Sequence, residues 1–135
     1  MNAKLSCCGN SIEITDFSHS IQDEEGGNPY NCTFNIAVTS YGFFGFADGC
    51  EYDCKEWRNF VKQLKAVVLN HAEKAELHEI GYGSRIVFTA DGKGHIEISG
   101  LIYGEATTHS LQFEFMTDQT YYAEFIRELE AMLIL

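Results

Sequence analysis

The sequence is poor in positive charge. Nine lysines and arginines stand against twenty aspartates and glutamates, which gives a formal net charge of −11 at pH 7. An acidic surface repels the phosphates of nucleic acids and anionic lipid headgroups, and it attracts cationic surfaces. Direct binding to DNA, RNA or an anionic membrane is therefore disfavoured, and a partner with a basic surface is favoured.

The sequence also lacks long apolar runs. No stretch approaches the roughly 20 apolar residues that a membrane-spanning helix needs. The first residues, MNAKLSCCGNSIEITDF, carry one lysine and no apolar run of signal-peptide length. We therefore expect a cytoplasmic protein without a membrane partner, in which the five cysteines remain thiols.

Proline occurs once, at Pro29, and no proline- or serine-rich linker divides the chain. The length of 135 residues suits one domain, and a hydrophobic fraction of 45% is enough for one core. We therefore expect a single domain over residues 1–135. Within it, we expect a flexible N-terminal segment at 1–11 and an acidic loop with glycine and proline at 22–29.

Alternation of apolar and polar residues predicts most of the strands. The predicted strands cover residues 12–17, 30–38, 75–80, 85–90, 95–102 and 109–115. Asp91 and Gly92 lie between two of these runs, which is a strong hairpin signal. The register stays open, because one turn length places Val87 opposite Ile98 and another places Phe88 opposite Ile98 or Ile96.

The segment 41–46 carries aromatic side chains on both faces of a further predicted strand, interrupted by Gly42 and Gly45. An exposed aromatic patch that binds a partner is one interpretation. Because aromatic residues dominate protein cores, we favour the other interpretation, an inner strand that is covered on both sides.

Two amphipathic helices are predicted from apolar residues at helical spacing. The first follows a potential cap at Asp53, with Glu56 three residues later. Its basic residues form one stripe that is expected to face water: Lys55, Arg58, Lys62 and Lys65. The second helix begins near Thr117 or Asp118, and its last residues, 131–135, are expected to dock on the sheet.

These elements predict an α+β fold in the order βββ-α-ββββ-α. The short connections fit one antiparallel sheet of about six to seven strands, arranged mostly as a meander and closed by the two helices.

No metal site is expected. Cys50 and Cys54 are four residues apart and could recruit a histidine or the Cys7-Cys8 pair, but this spacing is wrong for a zinc knuckle. Buried or incidental thiols are the simpler interpretation.

No catalytic or cofactor-binding residue is assigned either. His95 and Glu97 share a strand face and could orient a general base, but a solvent-facing polar pair explains them more simply. The sequence has no nucleophile elbow and no complete phosphate-binding loop. No cofactor is therefore expected.

Acidic residues gather in two places. Asp23, Glu24 and Glu25 lie in the predicted loop, and Asp48 and Glu51 precede the first long helix. Solvation explains such groups in many proteins. These five residues are nevertheless the candidate partner-binding residues, because complementary charge speeds encounter and fixes orientation.

Two segments resemble a known family. Residues 94–100, GHIEISG, and 111–120, LQFEFMTDQT, followed by a short amphipathic helix, resemble the WapI-like immunity proteins of bacterial polymorphic-toxin systems. The likeness extends over roughly residues 30–135 and includes the aromatic and glycine-containing strand at 41–46. It implies a non-catalytic cytosolic protein that binds and blocks a cognate toxin, often a nuclease, and it assigns no active-site residues.

The leading hypothesis is steric and electrostatic occlusion of a toxin that has a basic surface. The main alternative is a small enzyme or ligand-binding protein with a pocket between sheet and helices. A third hypothesis is an assembly subunit whose exposed sheet edge pairs with a copy of itself, and the oligomeric state stays open.

Overall fold

The computed structural model describes residues 2–133, without the side chain of Ala106, and contains two antiparallel four-stranded sheets. The first sheet has the order β1 (Ala3–Cys7), β2 (Asn10–His19), β3 (Cys32–Ser40) and β4 (Phe43–Tyr52). The second has the order β5 (Lys74–His78), β6 (Arg85–Ala90), β7 (His95–Tyr103) and β8 (Ser110–Asp118). Each sheet is a simple meander.

Three α-helices accompany the sheets: α1 (Ile21–Glu25), α2 (Cys54–Val68) and α3 (Tyr122–Ala131). Short 3₁₀ turns occupy Glu105–Thr107 and Gln119–Tyr121. Within residues 2–133, no helix is long and apolar enough to cross a membrane.

The predicted α+β class is confirmed. The prediction of one sheet with six to seven strands is wrong, and the predicted order βββ-α-ββββ-α gives way to ββ-α-ββ-α-ββββ-α, with three helices instead of two. Eight strands divide into two sheets because α2 lies between β4 and β5, so these two strands do not pair. Alternation along the chain reveals strands, but it does not show where one sheet ends and the next begins.

The N-terminal region also differs from expectation. Residues 1–11 contain β1, in which Ala3, Leu5 and Cys7 are buried and Leu5 pairs with Ile12. The expected loop at 22–29 is partly helical, because residues 22–25 lie in α1. The Ser20 side chain caps this helix by accepting a hydrogen bond from Asp23 N at 3.2 Å. A five-residue helix is too short to show a helical period in sequence.

One hydrophobic core joins both sheets and the helices α2 and α3. Trp57 of α2 packs on Phe34 of the first sheet, with ring centroids 5.4 Å apart, and its Nε1 donates to Leu129 O of α3 at 3.3 Å. Phe60 of α2 packs on Phe88 of the second sheet at 5.7 Å. Burial of large aromatic side chains therefore holds the two sheets together.

The turn between β6 and β7 settles the open register. Phe88 lies opposite Ile98. Asp91 Oδ1 accepts hydrogen bonds from Lys93 N at 2.6 Å and His95 N at 3.1 Å, which organises a turn longer than two residues.

The predicted cap at Asp53 is confirmed, whereas Asp118 caps a 3₁₀ turn and α3 itself begins later, at Tyr122. Asp53 Oδ1 accepts from Lys55 N at 3.0 Å, and Asp118 Oδ1 accepts from Thr120 N at 2.9 Å, at the 3₁₀ turn that leads into α3. Beyond α3, Met132 is buried and Leu133 packs on the core. The remaining residues of the predicted docking segment, 134 and 135, lie outside the described residues.

Candidate partner-binding surface

The hairpin between β3 and β4 exposes four aromatic side chains, which we call the aromatic ribbon: Tyr41, Phe43, Phe44 and Phe46. Their exposed fractions are 71%, 67%, 66% and 45%, respectively. The favoured prediction of a strand covered on both sides is therefore wrong, and the exposed patch is what the structure shows. Large side chains that stay this exposed next to one another mark interaction sites.

The turn of this hairpin is tightly held. Tyr41 and Gly42 both have positive φ, 49° and 86°, as a two-residue type I′ turn requires. Tyr41 N donates to Asn10 Oδ1 at 2.8 Å, and Asn10 is itself buried. A tyrosine rarely adopts this backbone conformation, so surrounding contacts must hold it in place.

Strand pairing explains why Phe44 and Phe46 face outward, whereas Phe43 lies opposite Ser40 on the other face of β4. Phe44 and Phe46 lie opposite Thr39 and Ala37, on the outer face of the first sheet. The inner position between them is Gly45, where an added Cβ would lie 2.8 Å from Leu111 Cδ2. The glycine therefore lets β4 rest directly on the second sheet, and the bulky neighbours point to solvent.

A signal for this arrangement was present in the sequence. Small residues, Gly45 and Ala47, alternate with Phe44 and Phe46, and small residues on the inner face permit close approach of another layer. The prediction treated all aromatic residues of the segment as core residues and overlooked this alternation.

The five acidic candidate residues fall into two groups. Asp48 is exposed and Glu51 is half-buried, and both lie on β4, the strand of the aromatic ribbon. Asp23, Glu24 and Glu25 lie on α1. The structure thus places Asp48 and Glu51 beside the ribbon in the same strand, while the other three belong to a different element.

Glu24 is already engaged within the protein. Its Oε1 lies 2.7 Å from His19 Nε2, and its Oε2 lies 4.0 Å from Arg58 Nη1. A hydrogen bond from the Cys54 thiol lowers the pKa of Glu24, and His19 and Arg58 act in the same direction. Of the α1 carboxylates, Glu24 is therefore the least available to a partner.

A buried carboxylate that sequence reasoning missed supports β4 from inside. Glu79 is 1% exposed, and its two oxygens accept hydrogen bonds from four backbone N–H groups. The donors, at 2.7–3.0 Å, are Glu51, Gly81, Tyr82 and Ser84. Nothing in the sequence distinguishes this glutamate from the many that face solvent.

The His95 and Glu97 pair suggested by the sequence has different partners in the structure. His95 Nδ1 lies 3.0 Å from Asp91 Oδ2. Burial, and then the neighbouring Glu114 carboxylate, raise the pKa of Glu97. These groups lie on the outer face of the second sheet and form no enclosed reaction centre.

The cysteines have the character of buried thiols, except for exposed Cys8. Burial raises the pKa of Cys32 to about 12 and also raises that of Cys50. Among residues 2–133, Cys50 and Cys54 share no cluster of three or more metal-ligating atoms. Instead, ligand atoms of His19, Glu24 and Cys54 all lie within 4.8 Å of one another. These residues are distant in sequence, so spacing rules did not find them.

A cavity of about 400 Å³ lies between α2 and α3. Its lining includes Trp57, Val61 and Leu129 with the basic residues Arg58 and Lys65. Lys65 Nζ lies 3.1 Å from Glu130 Oε2, so the two charges there pair with each other. A second cavity, of about 290 Å³, lies between α2 and the strands β4 and β5, which is the kind of place that the enzyme hypothesis requires.

A family model described as the immunity protein WapI-like family matches residues 9–134. The matched segment contains the whole aromatic ribbon and all five acidic candidate residues. No curated protein and no solved structure matches the chain.

Proposed function

Because the chain belongs to the immunity protein WapI-like family, we propose that it neutralises a cognate bacterial toxin by binding it and covering a basic, substrate-binding surface. Such inhibition requires a complementary surface and no reaction chemistry. A nuclease fits this description, since its cleft must attract phosphates and an acidic protein can occupy that cleft in their place.

The exposed aromatic ribbon is the observation that carries the proposal. Aromatic residues are enriched among the few side chains that supply most of the binding energy at protein interfaces. The type I′ turn and the contact between Gly45 and the second sheet hold the ribbon in one conformation. Little conformational entropy is therefore lost when a partner covers it.

Charge supports the same face. Exposed Asp48 lies two residues beyond Phe46 on β4, and Glu51 follows on the same strand. A basic toxin surface would meet apolar rings and carboxylates together. The rings would contribute mainly to the lifetime of the complex, and the carboxylates to the rate of encounter.

The test measures protection and affinity against the cognate toxin, which is to be sought as the toxic C-terminal domain of a large secreted repeat protein encoded directly upstream. Phe44→Ser and Phe46→Ser together should weaken binding by at least about thirtyfold, since each removed anchor costs about 1–2 kcal/mol or more. Cells that carry the double variant should lose protection from the toxin.

The matched control is Tyr121→Ser, because Tyr121 is 51% exposed but lies outside the ribbon. It should bind and protect like the unmodified protein. Equal protection by the ribbon double variant, with normal folding, would show that the ribbon is not the docking surface. Failure of the unmodified protein to bind or protect would contradict the immunity function itself.

A further inference from the structure

A cluster of three different metal-ligating side chains lies where β2, α1 and the first turn of α2 meet. His19 ends β2, Glu24 belongs to α1, and Cys54 is the first residue of α2. One ligand atom from each lies within 4.8 Å of the other two. We call these residues the His–Glu–Cys cluster.

We propose that the His–Glu–Cys cluster binds one divalent transition-metal ion, with Zn²⁺ as the best match. Imidazole nitrogen, thiolate sulfur and carboxylate oxygen are the three protein ligand types that zinc accepts. Calcium and magnesium prefer ligand sets made only of oxygen, so a thiol and an imidazole argue against them. Three protein ligands leave the fourth tetrahedral position for water.

Burial distinguishes the cluster from a group of surface charges. The His19 side chain is 6% exposed and Cys54 is completely buried. Among the described residues, His19 Nδ1 has no hydrogen-bond partner although it is buried. The other ring nitrogen, Nε2, lies 2.7 Å from Glu24 Oε1 and is therefore the one that faces the cluster.

The backbone around Cys54 is fixed by neighbouring polar groups. Cys54 N donates to Asn31 Oδ1 at 2.7 Å, and Asn31 Nδ2 donates to Asp53 Oδ1 at 3.3 Å. The Cys32 Sγ also contacts Asn31 Oδ1, at 3.4 Å, so a second buried thiol lies beside the cluster. Supporting hydrogen bonds of this kind orient ligands in metal sites.

Arg58 is the cation that now lies next to the cluster. Its Nη1 is 3.6 Å from Cys54 Sγ and 4.0 Å from Glu24 Oε2. The Arg58 side chain is 54% exposed, so it can swing into solvent when a metal ion takes its place. Metal binding also displaces the Cys54 thiol proton, which is released to solvent.

The test adds Co²⁺, a spectroscopic substitute for Zn²⁺, to the full-length protein after treatment with chelator and reductant. One equivalent of Co²⁺ should produce a thiolate-to-cobalt absorption band, and Zn²⁺ should abolish it by competition. Cys54→Ser should remove the band. Cys8→Ser is the matched control and should keep it, because Cys8 is exposed and lies in the turn between β1 and β2.

A second variant covers the case in which Cys54→Ser does not fold. Glu24→Gln preserves size and should weaken Co²⁺ binding by at least about tenfold. Absence of a band in the unmodified protein would overturn the proposal. A band that Cys8→Ser removes, a band that survives in folded Cys54→Ser, or an affinity for Co²⁺ that Glu24→Gln leaves unchanged would also overturn it. None of these results depends on toxin binding, so the two proposals can fail separately.

Discussion

At the scale of single residues, Glu79 is the clearest case of a charge that is buried for a structural purpose. Its carboxylate accepts hydrogen bonds from four backbone N–H groups that would otherwise bind water, and one of these groups belongs to Glu51 on β4. Glu79→Gln would turn one acceptor oxygen into a donor that faces two of these N–H groups. We expect a loss of about 3 kcal/mol in the free energy of unfolding, measured by urea titration.

Glu73→Gln is the control for this substitution, because Glu73 is an exposed glutamate in the segment that leads into β5. Its free energy of unfolding should stay within about 0.5 kcal/mol of the unmodified value. A Glu79→Gln variant as stable as this control would mean that the four hydrogen bonds contribute little.

Glu97 makes the stability of the folded protein depend on pH. Its pKa is raised above the ordinary value by burial and by Glu114, so the folded state favours the protonated carboxyl. Glu97 therefore contributes to the stability of the folded state below its ordinary pKa, and this contribution is lost as the pH rises through the raised pKa. At about pH 7, Glu97→Gln should stabilise the protein by about 0.5 kcal/mol, since it removes a like-charge neighbour.

The measurement for Glu97→Gln is the difference in Tm from the unmodified protein at about pH 7 and about pH 3.5. The gain should disappear at the lower pH, where both states of the unmodified protein carry a protonated Glu97. A gain that is equal at both pH values would assign the effect to the amide itself.

At the scale of elements, Gly45 sets the distance between β4 and the second sheet. An added Cβ would lie 2.8 Å from Leu111 Cδ2 and 3.1 Å from Ile102 Cδ1, closer than carbon atoms normally approach. Gly45→Ala should therefore push the aromatic ribbon off the second sheet and cost about 1–3 kcal/mol. Thermal or urea unfolding measures this cost.

A double-mutant cycle with Leu111→Ala tests the reason for the Gly45 effect. Leu111→Ala removes Cδ2 but leaves Leu111 Cβ 2.9 Å from a Cβ at position 45, so it should relieve only part of the steric clash. Gly45→Ala should then cost less in the Leu111→Ala background than alone, by an interaction energy of at least about 0.5 kcal/mol. Strict additivity would assign the effect to backbone changes at Gly45 instead of contact with the second sheet.

The elements themselves show what sequence can predict. The long strands and α2 follow from periodicity, and Asp53 marks the start of α2 through an interaction within a single turn. The division into two sheets, by contrast, depends on how distant elements pack. The His–Glu–Cys cluster also depends on how distant elements pack, because β2, α1 and α2 supply one residue each.

The sequence predicts only part of the candidate partner-binding surface. Charge alone makes Asp48 and Glu51 candidates, and only the fold shows that they lie on the strand of the aromatic ribbon. The sequence favours a covered strand over an exposed ribbon, because aromatic residues usually lie in cores. Its exposure depends on Gly45 meeting Leu111, a contact between sheets that no local pattern encodes.

At the scale of the whole molecule, charge is unevenly distributed. Four of the nine basic residues lie on the exposed side of α2: Lys55, Arg58, Lys62 and Lys65. The opposite side of α2 packs on the inner face of the first sheet through Trp57 and Phe34. Phe44 and Phe46 lie on the outer face of that sheet, away from the basic stripe. A basic partner is therefore steered away from α2 and toward the outer face.

Charge reversal tests this steering. Asp48→Lys with Glu51→Lys should slow association with the toxin by about tenfold at low salt and leave Tm nearly unchanged, as followed by stopped-flow and thermal unfolding. At about 0.5 M salt the difference should largely vanish, because screening removes long-range attraction. Asp23→Lys with Glu25→Lys changes the net charge equally on α1 and so separates local from global charge. If both pairs slow association equally, net charge alone steers the toxin; if neither does, the acidic residues serve only solubility.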